Sequence, residues 1–361
     1  MEIKLITTDV TTSGGGVGFR LLGNVEIKPK PKLILFGTTT NPYEKPTFRF
    51  NNVQTSVTPN DENYFELYRD TNEQITKFVL MSPSKRILTT LNFSNFDTSQ
   101  VTDMSQMFSG CTSLVSLDVS HFDTSKVTDM SYMFSGCSGL TSLDLSNFDT
   151  SQVISMAFMF HGCSGLTSLD VSHFDTSKVI TMDHMFSGCT SLASLNVSNW
   201  NTSQVTYMGL MFRGCTSLTS LDLSNWNTSQ VSVMGDMFKD CSGLTSLDVS
   251  NWDTSKVTYM DSMFQNCSKL TSLDLSNWKI SNVSDMSYMF SGCTSLASLD
   301  LSNFRCSSLE NKKNMFHGCY SLRTIKNNSE SSAKILTDQI WTDLRKTATW
   351  NSTTKIITIP V

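Results

Sequence analysis

The sequence predicts an α/β solenoid, a stack of short parallel strands and short helices with a small all-β N-terminal domain. Three observations predict it. Cys111, Cys137, Cys163, Cys189, Cys215, Cys241, Cys267, Cys293 and Cys319 recur every 26 residues without a gap. Two leucine columns keep the same period, one from Leu88 through Leu114 to Leu322 and one from Leu91 through Leu117 to Leu299, then Ile325. An aromatic column follows them: Phe96, Phe122, Phe148, Phe174, Trp200, Trp226, Trp252, Trp278 and Phe304. A unit this short cannot bury both its faces alone, so neighbours must stack and share one core.

Residues 1–80 precede the repeat. VGFRLLGNVEIK, KLILFG, PTFRFNNVQTSV and NYFELYRD are short and β-rich, and turn-forming segments such as SGGG and TTTNPYEKP separate them. They predict a small all-β domain, expected to anchor the chain to a virion or cell-envelope protein. SGGGVG lacks the Lys and the following helix of a phosphate loop, so it reads as a turn.

The repeat occupies 81–325. In its first half Leu117 and Val119 alternate with Ser116, Asp118 and Ser120, the period of a half-buried strand. In its second half Val101, Met104, Met107, Phe108 and Cys111 fall on what would be one face of a short helix. Asp97-Thr98-Ser99 suits a turn or helix cap before it, and Gly110 suits the exit. At strand spacing, ten leucine rungs span roughly 40–45 Å. Lys85 stands where later units carry Cys, so the first rung is expected to be a cap. Residues 326–361 read as the opposite cap. KILTDQIWTDLRK forms an amphipathic helix with Ile335, Ile340, Trp341 and Leu344 on its apolar side, and TKIITIPV follows as a strand. A separate binding element is the alternative for this segment.

Composition narrows the function. The net charge of −5 shows no basic stripe, which argues against nucleic acid. No run reaches eighteen apolar residues, so no membrane insertion is expected, and the N-terminus lacks the pattern of a secretory signal. Nine of ten cysteines share one buried column and read as reduced core thiols. Disulfides between adjacent rungs are the sharper alternative, and an odd column would leave one cysteine over. No cofactor or metal is expected: there is no C-x-x-C, and His161 and His317 are far apart in the stack. No catalytic set stands apart from the repeat, so the chain does not read as an enzyme.

The unit Ser99–Phe122, SQVTDMSQMFSGCTSLVSLDVSHF, recurs with small changes down to about residue 320. It resembles the BspA-like leucine-rich-repeat surface proteins, a bacterial family with 26-residue units. The resemblance covers roughly two thirds of the chain. It implies a leucine-rich-repeat solenoid that adheres to a protein or glycan on a cell surface, and it supplies no catalytic residues. Since no export signal is seen, a phage fibre or decoration protein on the virion surface is the expected setting. A bacterial cell-surface adhesin, or a spacer with no ligand of its own, is the alternative. The terminal strands leave room for a homo-oligomer.

Positions that differ between units are free of the packing demand. Asp103 and Gln106 begin two such columns, three residues apart on the expected outer helix face. Down the stack they place Tyr132, Phe158, His184, Tyr207, Leu210, Val233, Tyr259 and Tyr288 outward, a candidate partner-binding row. Flanking side chains covering these residues is the competing reading. The Asp118 column is expected to be held by neighbouring Ser groups rather than by a cation, and the Trp column to be core rather than a carbohydrate platform.

Overall fold

The computed structural model describes residues 97–361 throughout and, before them, only short strands between Val10 and Asn92. The strands up to Leu80 pair antiparallel, as in Thr47–Phe50 with Val53–Ser56 and Phe65–Arg69 with Ile75–Leu80. The expected 1–80 boundary, the SGGGVG turn and the Lys85 cap lie largely outside the described residues.

The repeat is a solenoid in strict 26-residue register. Leu91 pairs with Leu117, and Leu273 with Leu299 and then Ile325, all in parallel. In Ser116–Asp118 and Ser272–Asp274 the central leucine points inward and its neighbours outward, the alternation that the sequence predicts. The strand lane is looser in the middle of the stack. There Thr167 N–H reaches Thr141 O at 3.3 Å and Ala193 N–H reaches Thr167 O at 3.4 Å, against 2.9 Å for Ala297 to Thr271.

The second half of each unit departs from expectation: it is not a helix. Met107 N–H bonds Met104 O, Ser109 bonds Gln106 and Cys111 bonds Phe108, a run of three-residue turns. The N–H groups of Met104, Gln106, Phe108 and Gly110 instead bond Asp129, Ser131, Met133 and Ser135 of the next rung, at 2.6 to 2.9 Å. Gln106 and Gly110 have φ of 60° and 79°, which an α-helix cannot accommodate. The physical reason is length. An isolated helix of about ten residues is marginal, whereas rung-to-rung bonds repeat along the whole stack. The same spacing of Met, Met, Phe and Cys places them inward under either backbone, and all four are fully buried in every complete unit.

Several columns resolve as packing. Phe108, Phe134 and their successors stack at 5.6 to 5.9 Å between centroids, and Trp200, Trp226, Trp252 and Trp278 at 6.2 to 6.4 Å beside them. The Trp Nε1–H groups of 200, 226 and 278 donate to carbonyls of the preceding rung, such as Val171 O, so this column is core and not a carbohydrate platform. All ten cysteines are free and buried. From Cys137 onward each ladder thiol donates to a Phe carbonyl of the preceding rung, as Cys215 Sγ does to Phe186 O at 3.2 Å. Burial pushes the Cys163 and Cys293 thiols up to about 12. Asp97-Thr98-Ser99 is a turn rather than a helix cap. Asp97 accepts from Ser99 N–H, and buried Thr98 exchanges bonds with Asp123 of the next rung.

The C-terminal segment closes the stack. The helix Glu330–Leu344 starts at Ser329, whose hydroxyl accepts from Ser332 N–H, and ends at Arg345 in the left-handed region. Its buried face is Ala333, Leu336 and Ile340, rotated from the expected one: Trp341 is 53% exposed, while Ile335 and Leu344 are partly buried. Cys306 lies beneath this helix, and its N–H donates to Ser332 Oγ at 3.0 Å. The strand Ile356–Thr358 pairs antiparallel with Thr324–Lys326, which ends the parallel ladder. Phe316 N–H, whose counterpart Phe290 N–H bonds the next rung, is met by the Asp343 carboxylate at 2.8 Å. The helix therefore stands in for a missing rung. Among the described residues, no helix is long and apolar enough to cross a membrane, and no His, Cys, Asp or Glu cluster could hold a metal.

Candidate interaction surface

The two variable columns lie on the turn side of the solenoid. The first, from Asp103 through Asp129, Ser155, Thr181, Tyr207, Val233, Tyr259 and Asp285 to Asn311, is a lane of single parallel β-bridges between rungs. The second runs Gln106, Tyr132, Phe158, His184, Leu210, Asp236, Ser262, Tyr288 and Asn314, and every member has φ between 55° and 60°. Left-handed backbone costs an L-residue roughly 1–2 kcal/mol. The Gly110 column has the same requirement and meets it with Gly at seven rungs, with Asp240 and Asn266 at the others. The Gln106 column never uses Gly. It also never uses a β-branched residue, which this backbone tolerates least.

These side chains form a ladder of their own. Tyr132 stacks on Phe158 at 4.3 Å and 6°, and Phe158 on His184 at 4.0 Å and 13°. Leu210 continues the lane. Tyr132 is 36%, Tyr207 50% and Tyr259 54% exposed; Phe158, His184, Leu210, Val233 and Tyr288 are half-buried. A cleft of about 430 Å³ opens between Ile180, His184, Tyr207, Leu210 and Val233. Its cause is local. The column that carries Ser131, Ala157 and Asp183 in earlier rungs carries Gly209 and Gly235 here, so its floor has no side chain. A Cβ on Gly209 would meet Val233 Cγ1 at 3.3 Å.

The structure thus brings Tyr132, Phe158, His184, Tyr207, Leu210 and Val233 onto one surface, with Tyr259 beside Val233. Tyr288 stands apart, with Asp236 and Ser262 between. The surface is not a helix face, as the residue spacing predicts; it is a lane of left-handed turns. Sequence reasoning missed Ile154 and Ile180, which are 45% and 44% exposed in a slot that is Thr128 or Thr206 elsewhere. Their apolar type in a Thr slot is a signal that a column-by-column reading contains. It also missed Arg213, and it weighed His161 as a metal ligand and not as a neighbour of the ladder. His161 packs edge-on against Phe158 and His184 at 5.6 and 6.1 Å.

The polar groups here are held by internal bonds. Burial opposes ionisation of Asp183, but bonds from His184 and from Thr181 outweigh it and keep its carboxyl below the usual range. Burial, with His184 and Arg213 nearby, holds the His161 imidazole below its usual value. Asp183 and His184 have the form of a catalytic pair, yet among the described residues no hydroxyl or thiol bonds the other ring nitrogen of His184. The histidine at 173 is structural: His173 Nε2 meets Leu145 O at 3.0 Å, as Asn147 Nδ2 meets Ser120 O in the same slot one unit earlier.

On the strand face, Asp118 accepts from Ser120 N–H and Oγ–H at 3.0 and 2.6 Å, and Asp170, Asp222 and Asp248 repeat the arrangement. These Ser bonds hold the carboxyls below their usual range, so the lane is ionised and internally satisfied.

Compared with known proteins, residues 76–169, 163–247 and 243–340 each match the family described as "Mycoplasma protein of unknown function, DUF285". No curated protein is similar enough to count as a match. Among solved structures, the chain is similar to one in the TLR13–ssRNA13 complex, with 22% identity, a TM-score of 0.33, and 66% of this chain and 34% of that one covered. It is also similar to one in the Drosophila Toll–Spatzle complex, with 15% identity, a TM-score of 0.26, and 65% and 36% covered. The chain spans about a third of the length of each.

Proposed function

The chain belongs to the DUF285 family, its three matches running from residue 76 to 340, and on that premise we propose that it is a non-enzymatic recognition module that binds a partner through the Tyr132–Val233 lane. One observation carries this reading. Tyr132, Phe158, His184 and Leu210 keep bulky, partly exposed side chains on a left-handed backbone where Gly would fold at lower cost. Strain retained at a surface that the core does not need points to use of that surface. The aromatic type agrees, because exposed aromatics anchor interfaces.

A spacer without a ligand is the competing reading, and one variant separates the two. Phe158→Gly, Tyr207→Ser and Leu210→Gly together remove the lane and relieve backbone strain at two positions. The expected outcome is an unchanged melting temperature or a higher one, with loss of binding of the labelled chain to a panel of intact bacterial and animal cells. Unchanged binding supports the spacer. We further propose display on a cell surface, in keeping with a Mycoplasma family. The virion setting read from the sequence has a direct measurement: mass spectrometry of purified particles against envelope fractions.

A further inference from the structure

We infer that the lane's partner is a protein segment that places an aliphatic or aromatic side chain in the Gly209 cleft and a carboxylate on Arg213. The inference rests on the reading above and names the chemistry of what binds. Arg213 lies in the same turn as Leu210, its N–H bonding Leu210 O at 3.1 Å. Its side chain is exposed and, among the described residues, makes no ion pair. Three carboxylates beside the lane are already engaged. Asp129 accepts from Ser131 N–H, Asp183 from Thr181 and His184, and Asp236 pairs with Lys239 at 2.9 Å. In a chain of net charge −5, an unpaired guanidinium next to an apolar cleft therefore faces outward with its charge unmatched. A carboxylate is the group that matches it, and bidentate geometry favours one.

The ladder itself argues for a protein over a glycan or a nucleobase. Tyr132, Phe158 and His184 spend their faces on one another at 4.3 and 4.0 Å. A sugar or base stacks on an open ring face, and the stacked part of this lane offers mostly edges. Edges and a 430 Å³ cleft suit an inserted side chain.

The test is selection of a random displayed peptide library on the full chain, followed by measured binding of the enriched peptides. The expected peptides carry Leu, Ile, Phe or Trp within a few residues of Asp or Glu. Arg213→Gln should weaken them roughly tenfold to hundredfold, Arg213→Lys should restore part of that, and added salt should weaken the wild-type chain more than Arg213→Gln. Gly209→Ser should weaken them while leaving the salt dependence intact. Enriched peptides that are apolar but lack acids, bind through the lane and ignore Arg213→Gln would overturn this inference and leave the recognition reading standing. Peptides indifferent to Leu210→Gly and Tyr207→Ser, or no enrichment at all, would overturn both. Binding of anionic oligosaccharides at the lane, with no acidic peptide enriched, would also overturn it.

Discussion

At the scale of residues, the left-handed column is where chemistry and folding disagree. Nine residues share the backbone requirement of the Gly110 column, yet none is Gly. Leu210 gives a direct measure of the conflict. Leu210→Val puts a β-branched side chain at φ 57° and should destabilise the chain by about 1 kcal/mol or more. Leu210→Gly should be neutral or stabilising, since the backbone penalty vanishes and little burial is lost. Urea denaturation of both variants checks the pair, and a Val variant as stable as the parent would remove the strain argument. His161 makes a second prediction. Its folded pKa lies below the usual value because the ring is half-buried, with His184 and Arg213 nearby. The unfolded chain then binds the proton more readily, so stability present at neutral pH falls as pH drops below about 6.5. His161→Ser, the residue of this slot at 135 and 187, should flatten that part of the acid dependence in denaturation midpoints taken between pH 8 and 5.

At the scale of elements, periodicity identified the inward residues but not the backbone that delivers them. Val101, Met104, Met107, Phe108 and Cys111 are all buried, and a helix and a run of turns place them alike. What separates the two is where the N–H groups go, and those partners are in the next rung, 25 residues away. The sequence holds one hint, the repeated Gly at 110, 136 and 162, which meets a positive φ within each unit. The C-terminal helix was legible as a helix, but not its rotation. Trp341 looks apolar and is exposed, because the end of the stack that the helix covers takes Ala333, Leu336 and Ile340. The same helix carries Asp343, whose carboxylate satisfies Phe316 N–H. Asp343→Ala should leave that amide unpaired, cost about 1–3 kcal/mol, and raise hydrogen exchange first at Phe316 and its rung. Exchange rates spread evenly over the stack would contradict the capping role.

At the scale of the whole molecule, stability is a sum over rungs that share one register. Each rung bonds its neighbours through the same groups: Thr98 to Asp123, Phe108 to Met133, Cys137 to Phe108. Deleting residues 242–267, one full unit, joins Cys241 to a serine at 268 that matches Ser242. The shortened chain should fold, unfold at a lower denaturant concentration, and keep the Tyr132–Val233 lane and its binding. Deleting thirteen residues from the same unit should abolish cooperative unfolding, because every later column would face the wrong side. Circular dichroism and urea titration distinguish the two. Recognition by a solenoid needs length, yet the lane spans only the five units from Tyr132 to Val233, so the remaining rungs serve to hold these.

The sequence by itself determined the period, the register and the inward columns of Leu, Met, Phe, Trp and Cys. It could do so because every rung must bury the same positions, and repetition writes that demand openly. It also exposed the variable columns, since freedom from packing shows as disagreement between units. Only the tertiary structure decided that the second half-unit is a lane of left-handed turns and that Gly209 opens a cleft. It alone set Ile180 and Arg213 beside Leu210, and Asp343 in the place of a missing rung. Those facts depend on which backbone groups find partners in a neighbouring rung, and a single unit's sequence does not contain its neighbour.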